Sequence, residues 1–256
     1  MKAFVHHCVR LFGLLCILTA SATAQQLGTL YVKHSGAFSA VSDDQNRAVT
    51  LAANLPQIRQ WICRRWGLPT KDLSLECRVF CMSSEESLNR NFRIPAPAVD
   101  IRKDIYVMYI AADDNYVNIV PFFLTTVCLK DMERQYGVHF GFWLYRGMGT
   151  LNCTNARIRA KLEFLRGRSI HPTQNILSMT EAEWAKQPME AKAAYDAEAS
   201  VLCLAIFRDI GKKKFLEFIG TQDMQKSLGV TSLDPVFGKY LTKVMTASDY
   251  RYLQLL

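Results

Sequence analysis

Apolar residues recur along the first half of this chain mostly with a period of two, interrupted by one long helical stretch, and along the second half with a period near 3.6. Leu27 to Lys33 alternates as a short strand, and a loop rich in Ser, Gly and Asp follows it. Val49, Ala52, Leu55, Ile58, Ile62 and Trp66 recur at three and four, which predicts a helix capped by Ser42 or Asp43 and ended by Gly67 and Pro69. Leu73, Leu75, Cys77, Val79 and Cys81 alternate with Ser74, Glu76, Arg78 and Phe80, the pattern of a strand with one buried face. Ser83-Ser84-Glu85-Glu86 opens a short helix, and Ile105 to Ala111 forms another strand.

Beyond Asp114 the pattern is helical. Asn118 is placed to cap an apolar helix with Pro121 in its first turn, where a missing N–H costs little. That helix runs to Gly137 and is followed by Trp143-Leu144-Tyr145-Arg146-Gly147-Met148-Gly149, read as a turn. Asn155 to Arg166 is a basic helix, Ser169 to Ser178 a Pro and Ser loop, and Thr180 caps a short helix with Glu183 at the capping-box position. Glu190 to Ile210 is a long Ala-rich helix stopped by Gly211. Lys214 to Ile219, Gln222 to Leu228 and a segment opening at Asp234-Pro235 complete the helical tail. The expected fold is α+β: a small N-terminal sheet with a long helix in residues 25–113, then a mostly helical half in 114–256.

Composition narrows the setting. Lys2 and Arg10, the apolar run Leu11 to Ala20 and Ala22-Thr23-Ala24 read as a signal peptide cleaved after Ala24, which predicts a secreted or periplasmic protein. No second segment is apolar enough to span a bilayer. Half of the residues are apolar, enough for a substantial core. The formal net charge of +8 falls by two with the leader. The remaining basic residues are scattered, with only Arg64-Arg65 and Lys212-Lys213-Lys214 clustered, and such a spread argues against nucleic acid as a partner.

Cys63, Cys77, Cys81, Cys128, Cys153 and Cys203 follow the leader, and an even number in an exported chain permits disulfides. Cys77 and Cys81 lie four apart on one strand, roughly 13 Å, beyond a disulfide's reach. Cys63 with Cys77, and Cys128 with Cys153, are the pairs considered. The other reading makes several of them small buried apolar residues. Asn152-Cys153-Thr154 matches a glycosylation acceptor.

An apolar helix followed by W-L-x-[charge]-G-x-G resembles the active-site layout of the peptidase MA-like domain, a gluzincin-type zinc metallopeptidase. Trp143, Leu144, Gly147 and Gly149 carry the match, with Tyr195 and Phe207-Arg208-Asp209-Ile210-Gly211 through Phe215 in the tail. The resemblance implies two histidines and a glutamate in H-E-x-x-H on the helix and a third, glutamate ligand in the turn. The helix offers Thr125-Thr126-Val127-Cys128-Leu129 there, and Arg146 stands at the third ligand, so no zinc or other cofactor is expected. His34, His139 and His171 show no i, i+4 pairing that would make a replacement site.

The resemblance therefore implies a pseudo-metallopeptidase, leaning to no enzyme activity, whose remnant cleft of Thr125, Thr126, Leu129, Trp143 and Arg146 binds peptide or protein. Arg146 either holds a ligand carboxylate or pairs with a nearby acid, the second being preferred. Phe142, Trp143 and Tyr145 either line a groove or pack the core, the commoner role. Two alternatives remain: an unrelated disulfide-stabilised exported binding or structural module, and a thiol hydrolase using Cys128 or Cys153 with His139 or His171 as base.

Overall fold

The computed structural model describes residues 29–94, 98–102, 104–112, 116–165, 168–221 and 223–246. The expected leader, residues 1–24 with its cleavage after Ala24, lies outside them. A β-hairpin begins the described chain: β1 (Tyr31–Ser35) turns at Gly36, φ +58°, into β2 (Phe38–Ser42). Pattern reading placed a loop where β2 stands. All five β2 residues are buried, so small residues fill both faces and no alternation marks the strand.

Helix α1 (Gln45–Trp66) begins later than expected, because Asp44 rather than Ser42 or Asp43 accepts the Arg47 N–H at 2.7 Å. It ends at Gly67, φ +73°, as the sequence indicates. Its buried stripe is Ala48, Leu51, Ala52, Leu55, Ile62, Cys63 and Trp66, while Val49 is 46% exposed. Strand β3 (Glu76–Met82), helix α2 (Glu85–Phe92), strand β4 (Ala98–Ile101) and strand β5 (Ile105–Ala111) follow. The sheet order is β1-β2-β3-β5-β4. Its inner pairs are parallel and its two outer pairs antiparallel.

Alternation divides the sheet's faces. Phe38, Ala40, Cys77, Val79, Cys81, Tyr106, Met108 and Ile110 enter the main core, whereas Val41, Met82, Val107 and Tyr109 meet Leu88 of α2 on the other side. Phe80 stacks on Tyr109 at 4.9 Å and meets the edge of Phe92 at 4.8 Å, closing that second layer.

Helix α3 (Tyr116–Tyr136) crosses the main core, followed by α4 (Phe142–Leu151), α5 (Asn155–Glu163), α6 (Thr173–Ser178), α7 (Glu181–Lys186) and α8 (Met189–Ala205). A π-turn at Ile206–Ile210 carries α8 to Gly211, and α9 (Lys212–Thr221), α10 (Met224–Leu228) and α11 (Asp234–Thr246) end the described chain. The α+β architecture is the one expected, a small N-terminal sheet with a long helix and then a mostly helical half. One apolar cluster extends from Phe38 to Leu241 and joins the two.

Four local expectations fail. Asn118 lies inside α3 and does not cap it; its side chain accepts the Thr154 N–H at 2.9 Å and hydroxyl at 2.8 Å. Pro121 is the sixth residue of α3, past the first turn. The W-L-x-R-G-x-G segment is helix α4 rather than a turn, and α6 forms within the expected Pro and Ser loop. No helix among the described residues is long and apolar enough to cross a membrane.

Candidate functional site

Strand β4 and helices α3 and α4 enclose a cleft of about 640 Å³. One face of α3 supplies Phe122, Thr126 and Lys130, spaced one turn apart; α4 supplies Phe142, Tyr145 and Arg146; Val99 stands on the sheet edge. These helical positions are the partly exposed ones on α3, while Phe123, Leu124, Thr125, Val127, Cys128 and Leu129 are buried.

Of the five residues predicted to form a remnant cleft, Thr126 and Arg146 line it. The other three do not. Thr125 is fully buried: its hydroxyl donates to the Pro121 carbonyl at 2.8 Å and accepts from Asn152 Nδ2 at 2.8 Å. Asn152 in turn accepts from Trp66 Nε1 at 3.0 Å, so this chain of bonds ties α1, α3 and the end of α4 together. Leu129 is fully buried, and Trp143 is 1% exposed, stacked on Phe218 at 6.0 Å. A single residue on a helix rotates the side chain by about 100°. The cleft register is therefore Thr126 and Lys130, one residue beyond the positions read from the sequence.

Arg146 takes the acid-pairing role. Its Nε and Nη2 donate to the two oxygens of Asp196 on α8, both at 2.7 Å, and its guanidinium lies 4.1 Å from the Trp184 ring and 4.8 Å from that of Phe122. Lys161 Nζ also reaches Asp196, at 3.0 Å. Two cations thus surround one carboxylate that is 6% exposed. Lys130 is similarly engaged: its ammonium is 2.9 Å from Glu133 and 4.7 Å above the Tyr145 ring. Burial alone would raise the Glu133 carboxyl, but the Phe140 N–H at 2.7 Å, Lys130 and the neighbouring Tyr145 hydroxyl hold it below the usual range. Burial, then the Glu133 carboxylate, pushes the Tyr145 hydroxyl upward.

The side chains standing where the resemblance requires zinc ligands do not fit a zinc ion. Thr125 and Thr126 offer one hydroxyl each, Leu129 offers no donor atom, and Arg146 brings a cation already committed to a carboxylate. Among the described residues no three His, Cys, Asp or Glu side chains gather as a metal-holding group.

The six cysteines after the expected leader are buried free thiols. Cys63 is not disulfide-bonded to Cys77; its Sγ lies 4.0 Å from that of Cys128. Cys153 donates to the carbonyls of Asn118 and Gly149, at 3.4 Å each. Asn118 is ten residues before Cys128 on one helix, about 15 Å of rise, so Cys153 is not positioned to bond Cys128. Burial raises the Cys153 thiol to about 11, and neither it nor Cys128 has a described contact with a histidine, which removes the arrangement a thiol hydrolase needs. The glycosylation acceptor Asn152 is 2% exposed, inaccessible in the folded chain.

A second cavity, about 370 Å³, lies between α6, α7 and α8. His171 Nδ1 there stands 2.9 and 3.0 Å from the two oxygens of Glu198, whose side chain is 1% exposed and also accepts the His171 N–H at 3.1 Å. Sequence reading passed over Asp196 and Glu198. Their signal is two acids inside the apolar run Tyr195 to Leu204, where burial obliges each to find a partner.

No protein-family model matches this chain, and no curated protein matches its sequence.

Proposed function

We propose that this is an exported, non-catalytic peptidase-like protein that binds an extended peptide segment in the cleft beside β4. The observation carrying the reading is the cleft itself: the outer edge of β4 has no strand partner among the described residues, and an aromatic and aliphatic wall faces it. An extended peptide can add to such an edge through main-chain hydrogen bonds while its side chains enter neighbouring pockets. Phe122, Phe140, Phe142 and Tyr145 supply apolar and aromatic surface for those side chains.

Arg146 and Lys130 are neutralised internally and the Glu181 carboxylate also lines the cleft, so the ligand favoured is apolar or aromatic in its side chains rather than acidic. Loss of hydrolysis is supported by the residues at the positions that would hold and activate a metal-bound water: Thr125 and Leu129 are buried in the core, and Arg146 is spent on a structural ion pair.

Selection of displayed random peptides on the purified protein, followed by calorimetric titration, tests the proposal. An enriched extended peptide should bind, and Thr126→Trp, which fills the cleft from a partly exposed position, should weaken it at least tenfold with an unchanged melting temperature. No enrichment, or full binding by the Thr126→Trp protein, would overturn it. Elemental mass spectrometry of chelator-free protein should find no stoichiometric zinc; stoichiometric zinc would overturn the non-catalytic reading.

A further inference from the structure

Cys63 and Cys128 bring two thiols together from helices far apart in sequence. Their sulfurs are 4.0 Å apart across the α1–α3 contact, although the residues are 65 positions apart in sequence. A disulfide needs sulfurs at about 2 Å, a distance that side-chain rotation on two neighbouring helices can close. A narrow pocket of about 10 Å³, room for one molecule the size of water, touches the buried pair and is lined by Arg59, Lys71, Asp131, Gln135 and Tyr136.

The two thiols are chemically unequal. The contact with Cys128, together with the positive charge of Arg59 one turn earlier on α1, outweighs burial and holds the Cys63 thiol at about 7. Cys128, beside Cys63 and fully enclosed, is held well above the ordinary thiol value. Cys77 and Cys203 are pushed upward by burial.

We propose that Cys63 and Cys128 form a redox-active pair that closes to a disulfide when hydrogen peroxide, a reagent of nearly the size of water, oxidises Cys63. The Cys63 thiolate attacks one peroxide oxygen, forming a sulfenic acid and expelling hydroxide, which takes up the proton Cys63 has lost. Cys128, losing its proton, attacks the Cys63 sulfur and expels hydroxide, which takes up that proton. Two protein thiols are oxidised and one hydrogen peroxide is reduced to two waters. The new bond staples α3, whose opposite side carries Thr126 and Lys130 of the cleft, to α1.

The test treats the protein, purified from an exporting host and reduced, with rising concentrations of hydrogen peroxide, then quenches in acid, alkylates and maps the peptides by mass spectrometry. A peptide pair joined through Cys63 and Cys128, reversed by dithiothreitol and accompanied by a melting temperature several degrees higher, is the expected result. Cys77→Ser and Cys153→Ser should keep it, and Cys63→Ser and Cys128→Ser should lose it. A linkage through any other pair, a sulfenic or sulfinic acid at Cys63 that never resolves, or thiols that stay free throughout would overturn the proposal.

Discussion

Gly147 of α4 lies directly against the backbone carbonyl of Ala199 in α8: a Cβ at 147 would stand 2.5 Å from that oxygen and 2.6 Å from Cys203 Sγ. The carbonyl belongs to a helix and the thiol is fully buried, so neither can yield. Gly147→Ala should therefore lose about 1–3 kcal/mol in chemical denaturation, the range of overpacked cores. At Gly149 the Cβ would meet the Phe122 ring at 2.8 Å, and that ring borders the cleft and can turn. Gly149→Ala should cost clearly less, and equal costs would show that the ring is as fixed as the α8 backbone.

Removing Asp196 should harm the protein more than removing Arg146. Asp196→Asn leaves Arg146 and Lys161 facing each other without their carboxylate, whereas Arg146→Gln leaves Asp196 still paired with Lys161. Breaking a buried pair costs about 3–5 kcal/mol. Denaturant midpoints of the two variants should rank in that order, with Asp196→Asn at the upper end.

Asn152 should carry no glycan even in a glycosylating host. It is buried and bonded to Trp66 and Thr125, so a sugar there is incompatible with the fold. Intact-mass measurement of the secreted protein should show no glycan. Asn152→Ala should lose about 1–3 kcal/mol, since it leaves the Trp66 indole N–H without an acceptor and removes the amide that donates to the Thr125 hydroxyl.

Acid should destabilise the fold below about pH 5. For Glu76 the Ser39 hydroxyl outweighs burial and Arg78 adds to it; for Asp43 and Glu133 burial is the largest effect, but the Ser83 and Ser87 hydroxyls and the Phe140 N–H with Lys130 together exceed it. All three carboxyls lie below their unfolded values. The sign follows: the unfolded chain takes up protons first, so their stabilisation is complete above the ordinary carboxylate range and is lost as pH falls through the depressed folded values. Melting temperatures measured from pH 7 to 3 should fall on acidification, and Glu133→Gln should make that fall shallower.

Element type was legible wherever one face of a segment is buried and the other wet. The alternation from Leu73 to Cys81 marked β3, and Thr180 with Glu183 marked the start of α7, because strand pleat and helix cap are local in sequence. Strand β2 was invisible because it is buried on both faces, and β4 because four residues carry too little pattern. The cleft was half legible. Thr126 and Arg146 were named, but Thr125, Leu129 and Trp143 turned out to serve the core.

The sequence alone determined the α+β class, the long helices and their glycine stops, and the absence of zinc-ligand side chains at the matching positions, since each depends on residue identity and near neighbours. Tertiary packing alone decided which side of α3 meets the cleft, that Arg146 spends its charge on Asp196, and that Cys63 meets Cys128. Those pairings join residues 50 and 65 positions apart, and a helix turned by one residue, about 100°, exchanges one set of neighbours for another.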